Sequence, residues 1–295
     1  MKFCGVMPAL VSPLEADNKS INTKVAKELI EFHLGQGADG FYVLGGTGEG
    51  LLIEEKERMI MCEAAVDAVS RRKPVIIHVA AMNTEETIRL AKHAEKTGAD
   101  AISAVPPFYF AYDVDDIYNY YKRLAESVNI PLIIYNHPSA GGGLNAKDIA
   151  RMFEIDNITG VKWSVNDYYG MLALKDLTHG EMNIINGPDE MLISGLAAGA
   201  DAGIGTTYNV MLPQYKEIYK LFKEGKHEEA RAVQHKVNAI VNCIIANRVI
   251  PATKYMCKMM GFDVGEARFP QRQMAGEHGK KLEAELKVLG WPFSK

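Results

Sequence analysis

The sequence predicts an α/β protein, a (β/α)8 TIM barrel followed by a C-terminal extension of three helices. Three observations predict it. Eight short β-branched runs alternate with longer amphipathic ones. The same turn, Gly37-Ala38-Asp39, Gly98-Ala99-Asp100 and Gly199-Ala200-Asp201, recurs between a helical run and the next strand. The strand-like runs then stop before residue 226, and the remainder of the chain is helical in pattern. Strands each followed by a helix make a parallel sheet, and eight is the count that closes a barrel. An open doubly wound sheet would carry GxGxxG near its first strand, and the sequence has none there.

In chain order, VMPALV (6–11) opens the sheet and TKVAKELIEFHLGQ (23–36) comes next with the spacing of a helix. GFYVLG (40–45) and PVIIHVA (74–80) are the next strands, and TEETIRLAKHAEKT (84–97) places apolar residues near i, i+3 and i+4. AISAVP (101–106), PLIIYN (131–136), ITGVKWS (158–164), NIING (183–187) and AGIGTT (202–207) complete the eight. Glycine in the recurring turns supplies the left-handed residue that ends a helix before the chain drops into the sheet. Helices are predicted over 227–248, 252–260 and 279–290. Residues 1–225 therefore form the barrel, and 226–295 form a helical extension packed on it, since no Pro-, Gly- or Ser-rich linker divides them.

Composition narrows the function. The 295 residues are 47% hydrophobic, enough for a barrel-sized core, and the net charge is −4. With a pI near 6.1, neither a nucleic acid nor an acidic membrane is an expected partner. No apolar run reaches the ~20 residues of a membrane span, and the first twenty residues do not read as a signal peptide. Cys4, Cys62, Cys243 and Cys257 are scattered without a CxxC pair, as free thiols in a reducing cytoplasm would be. The eight histidines lack HxxxH or HExxH spacing, so no metal and no other cofactor is expected.

The chemistry starts from Lys162, in the middle of the apolar run ITGVKWS. Alternation along a strand sends Val161 and Trp163 one way and Lys162 and Ser164 the other. If the first pair meets the helices, Lys162 points into the barrel near the C-terminal end of strand six, where barrel enzymes keep their chemistry. It could be a structural lysine paired with a buried acid or snorkelling to the rim. It could instead be a Schiff-base lysine, because a dry site disfavours the ammonium form of an amine and leaves a nucleophile. Tyr135 stands at the end of strand five, placed to move a proton. Strand two runs into Gly45-Gly46-Thr47-Gly48-Glu49-Gly50, which offers backbone N–H groups and the Thr47 hydroxyl to a carboxylate, or is a plain βα turn. An amine, a phenol and a carboxylate cradle together suit a 2-oxo acid.

Over most of its length the chain resembles the pyruvate-dependent class I aldolases, the family of N-acetylneuraminate lyase and dihydrodipicolinate synthase. The resemblance is carried by GGTGE at 45–49, YN at 135–136 and GVK at 160–162. It implies a barrel with C-terminal helices assembled as a homotetramer. It implies that Lys162 forms the imine with pyruvate, Tyr135 shuttles protons, and Gly46 with Thr47 holds the carboxylate. Tyr109, in VPPFYF, matches a position that reaches an adjacent subunit's site. The loop after YN, residues 137–146, contains no Arg or Lys, whereas the synthases generally carry an arginine there. The stretches 186–190 and 203–209 are similar to those of sialic acid lyases, so Ser164, Gly187, Asp189, Glu190 and Thr206 are the implied sugar contacts. Asp189 and Glu190 also suit a helix N-cap and first turn. Two departures stand out: Gly46 replaces a serine usual in the lyases, and residues 141–143 are all glycine.

The expected activity is reversible cleavage of a 2-oxo-3-deoxy sugar acid, N-acetylneuraminate first, to N-acetylmannosamine and pyruvate. Dihydrodipicolinate synthesis, or an aldolase acting on another sugar acid, keeps the same imine with a different aldehyde. A barrel that senses a 2-oxo acid without turning it over is the reading from another class.

Overall fold

The computed structural model describes residues 2–140 and 143–292. Among the described residues, eight strands alternate with eight helices before three further helices. They run β1 (Gly5–Pro8), α1 (Thr23–Gly35), β2 (Phe41–Val43), α2 (Glu55–Val69), β3 (Val75–His78), α3 (Thr84–Thr97), β4 (Ala101–Ala104) and α4 (Val114–Ala125). The second half is β5 (Leu132–Asn136), α5 (Ala146–Met152), β6 (Ile158–Trp163), α6 (Tyr168–Leu177), β7 (Asn183–Asn186), α7 (Leu192–Ala197), β8 (Ala202–Gly205) and α8 (Tyr208–Lys223). Then come α9 (His227–Ala246), α10 (Val249–Met259) and α11 (Glu277–Val288). The strands are parallel in the order β1-β8-β7-β6-β5-β4-β3-β2, and β1 meets β2 through an Ala9–Tyr42 bridge in which Leu10 N–H donates to Tyr42 O at 2.8 Å. The barrel expected from the sequence is the fold.

The helices start and stop where local chemistry says they should. For α3, the Asn83 side chain accepts from Glu85 N–H, two acids occupy the first turn, and Gly98 ends the helix at φ +97°. Its buried face is Thr87, Leu90, Ala91 and Ala94, one stripe at helical spacing.

The recurring Gly-Ala-Asp turn does more than cap helices. Gly37, Gly98 and Gly199 all have positive φ, and each following aspartate reaches back to the preceding strand. Asp39 accepts from Val6 N–H at 2.9 Å, Asp100 from Val75 N–H at 2.8 Å and Asp201 from Ile184 N–H at 3.0 Å. These carboxylates occupy strand-start donors that the ladder leaves over, and so pin β1, β3 and β7 to their neighbours. Lys216 and Lys175 pair with Asp39 and Asp201 at 2.7 and 3.1 Å.

The strands end earlier than the sequence patterns suggest. Ser164, Gly187, Thr206 and Thr207, expected as strand residues, lie one or two positions past β6, β7 and β8. That displacement puts them on the rim where a barrel carries its site.

Candidate active site

Strand alternation places Lys162 as expected. Val161 and Trp163 are fully buried, and each such side chain contributes about 1.5–3 kcal/mol by leaving water. Lys162 lies on the other face, 5% exposed. In the β5–β6 ladder Tyr135 is its direct neighbour, so the amine lies over the phenol ring, with Nζ 4.0 Å from the ring centroid. Lys162 Nζ donates to Ser164 Oγ at 3.0 Å. Among the described residues no carboxylate forms an ion pair with it.

Two tyrosines flank the amine, and their hydrogen bonds distinguish them. Tyr42 lies with its ring centroid 5.7 Å from Nζ, and its hydroxyl donates to Ser103 Oγ at 3.0 Å. Ser103 in turn donates to Ile133 O at 2.8 Å, so this chain of donors is complete. The Tyr135 hydroxyl has no such commitment among the described residues and is the one able to exchange a proton with a bound molecule. The rings of Tyr42 and His78 both meet Tyr135 edge to face at 5.9 Å. Burial, with Arg58 nearby, pushes His78 down to about 3, so it is a neutral wall.

The turn after β2 is held open by its glycines. A Cβ at Gly45 would meet the Tyr42 ring at 2.4 Å, and one at Gly50 would meet Leu44 O at 1.8 Å. Glu49 takes the left-handed conformation at φ 53°. Glu49 N–H and Gly50 N–H close the turn onto Gly46 O and Gly45 O, while the N–H groups of Gly46 and Thr47 have no acceptor among the described residues. Thr47 Oγ1 and Thr206 Oγ1 are 2.6 Å apart, joining this turn to the end of β8. Donors converging without an acceptor can hold an anion such as a carboxylate.

These groups line one cavity of about 250 Å³. Lys162, Tyr135, Tyr42, Thr47 and Gly46 border it, and so do Ser164, Gly187, Glu190 and Thr206. His137 and Asn166 also line it, two residues that the sequence pattern does not single out. For His137 a signal exists in the chain: it stands two residues past Tyr135, on the same side of the extended backbone.

Two of the implied contacts, Asp189 and Tyr109 (the latter expected at an adjacent subunit's site), are not among the residues lining this cavity. Asp189 is buried, and its Oδ2 accepts from Thr207 N–H at 2.6 Å and Thr207 Oγ1 at 2.7 Å. Burial raises it to about 6 against those hydrogen bonds. It caps no helix; Asp189–Met191 is a single 3-10 turn, and of the adjacent acids it is Glu190 that faces the cavity. Tyr109 is 83% exposed, at φ 81°, with its ring against Phe110 at 5.1 Å. Gly141 and Gly142 of the glycine run lie outside the described residues.

Comparison with known proteins agrees over nearly the whole length. Residues 2–289 match the dihydrodipicolinate synthetase family. N-acetylneuraminate lyase of Rhizobium meliloti (strain 1021) is 34% identical over 294 residues, 99% of this chain and 97% of the relative. Proteus mirabilis N-acetylneuraminate lyase superposes with a TM-score of 0.94 at 30% identity, covering 99% of this chain and all of the other. Dihydrodipicolinate synthase from Aquifex aeolicus gives 0.92 at 27% identity, with 99% and 100% covered.

Proposed function

The chain belongs to the dihydrodipicolinate synthetase family and is a carbon–carbon lyase of the class I pyruvate aldolases; from that premise we propose that it cleaves N-acetylneuraminate reversibly to N-acetylmannosamine and pyruvate through an imine on Lys162. The observation that carries the choice of substrate is the charge of the cavity. Among the described residues Lys162 is its one cationic lining side chain and Glu190 its one carboxylate. With Lys162 spent on the imine, no cation is left to pair with a carboxylate on the aldehyde half. Hydroxyls and amides suit Ser164, Asn166, Glu190 and Thr206 better.

The steps derive from the groups present. The unprotonated form of the Lys162 amine adds to the C2 ketone of the open-chain acid, and loss of water with uptake of one proton gives the protonated imine. Gly46 and Thr47 N–H, with the Thr47 hydroxyl, hold the C1 carboxylate. Tyr135 takes the proton from the C4 hydroxyl as C3–C4 breaks, and the electron pair moves to the imine nitrogen, giving an enamine. The enamine takes a proton at C3, and hydrolysis releases pyruvate and the free amine. Ser164 positions the amine before and after the cycle.

A homotetramer fits this reading. Tyr109, Phe110 and Tyr112 form an exposed aromatic cluster after β4, which a second copy would cover and which would bring Tyr109 toward a neighbouring site. All four cysteines are free, as in a reducing cytoplasm, and no helix among the described residues is long and apolar enough to cross a membrane.

The test is a panel of aldehydes with pyruvate. The reading requires condensation with N-acetylmannosamine to be the fastest. Faster turnover of aspartate semialdehyde would make the chain a synthase instead.

A further inference from the structure

The cavity has two levels. Lys162 and Tyr135 belong to strands, whereas His137, Asn166 and Glu190 come after the ends of β5, β6 and β7, three adjacent strands of the sheet. These three side chains form the outer level, beyond the pyruvate half, where the rest of a substrate must lie.

His137 is the one whose chemistry is fixed by its own loop. Ser139 N–H donates to His137 Nδ1 at 3.1 Å. A backbone N–H can only donate, so Nδ1 is the acceptor and the neutral ring carries its hydrogen on Nε2. The ring is also held edge to face on Tyr135, with centroids 5.5 Å apart. Nε2–H has no partner among the described residues and is left as the ring's one free donor. Burial and the Lys162 charge both lower the histidine's proton affinity, in keeping with a neutral ring.

Resting on the aldolase reading, we propose that His137 is a specificity-determining residue, whose Nε2–H donates to an oxygen of the aldehyde half of the substrate and selects an uncharged polyhydroxylated aldehyde. The loop fixes the tautomer, the Tyr135 ring fixes the plane, and the donor faces a cavity whose outer acid, Glu190, accepts. A substrate with a hydroxyl or carbonyl oxygen at that point satisfies the donor; a deoxy analogue leaves it buried and unpaired, which is the stronger form of discrimination.

The experiment compares the wild type with His137→Leu and His137→Gln in two assays. One traps the pyruvate imine with borohydride and reads it by mass, reporting the inner level and the fold together. The other measures kcat/KM for pyruvate condensation with a panel of neutral sugar aldehydes and their deoxy analogues. Expected for His137→Leu is an imine that still forms, with a loss of roughly 10- to 100-fold in kcat/KM for the best sugar and a much smaller loss for the analogue lacking the contacted hydroxyl. His137→Gln, which keeps an N–H at similar reach, should recover most of that loss. Equal losses for every aldehyde, or none, or a glutamine variant no better than leucine, would overturn the proposal while leaving the imine intact. A wild type that forms no imine would overturn the aldolase mechanism itself.

Discussion

Glu49 and Lys254 meet at 2.9 Å with both side chains 1% exposed. Glu49 lies in the turn that presents Gly46 and Thr47, and Lys254 lies on α10, so the C-terminal extension holds that turn from behind. The same carboxylate accepts from Arg268 N–H at 2.7 Å and Gln271 Nε2 at 2.8 Å. The helices beyond the barrel are thereby part of the site's support, converging on a residue held at positive φ. Lys254→Met leaves that buried carboxylate without its cation, and a loss of about 3–5 kcal/mol in urea unfolding is expected. The double variant Glu49→Gln with Lys254→Met should recover part of the stability, and in both variants the KM for pyruvate should rise as the turn loosens.

Gly187 owes its identity to Ser164. A Cβ there would stand 1.9 Å from Ser164 Oγ, the atom that accepts from Lys162, and 2.9 Å from Trp163 O. Gly187→Ala must therefore turn the serine hydroxyl away from the amine. Roughly a tenfold fall in kcat, about 1.4 kcal/mol, is expected in steady-state kinetics, together with a lower melting temperature, because the Trp163 carbonyl must also give way.

Gly46 behaves oppositely. A Cβ at this position meets nothing within 4 Å, so Gly46→Ser fits without strain and adds a hydroxyl to the carboxylate cradle. The pyruvate KM of this variant should be equal to or below that of the wild type. A rise of more than about tenfold would mean that the turn does not hold the carboxylate.

Acid should destabilise the fold through buried histidines. Burial pushes His33 down to about 4 and His78 to about 3, against about 6.5 in an unfolded chain. The unfolded state therefore takes up the protons first. Stability is complete above pH 6.5 and is lost as pH falls toward 4, on the order of 3 kcal/mol per histidine. Asp189, raised to about 6, runs the other way and returns a similar amount over that range. The net expectation is a fall of a few kcal/mol between pH 6.5 and 4, and His33→Phe should flatten the slope measured by urea unfolding.

The barrel was legible because period-two and period-3.6 patterns alternate and because glycine marks the helix ends. The inward placement of Lys162 and Tyr135 was legible for the same reason: alternation decides which face a strand residue takes. What the chain pattern could not carry was anything set by distant partners. The pinning role of Asp39, Asp100 and Asp201 needs hydrogen bonds to residues 33, 25 and 17 positions away. Glu49 and Lys254 are farther apart still. Nor can sequence tell which of two adjacent acids faces a cavity; Thr207 settles it by claiming Asp189. His137 stands two residues past Tyr135, but before a proline it reads as a turn residue, and its Nδ1 contact is visible only in the fold.

The most direct test of the mechanism is reduction with borohydride in the presence of pyruvate, followed by peptide mapping. The account predicts one reduced pyruvyl adduct per chain, on Lys162, and none in a Lys162→Arg variant. An unlabelled Lys162, or an adduct on another lysine, would contradict it.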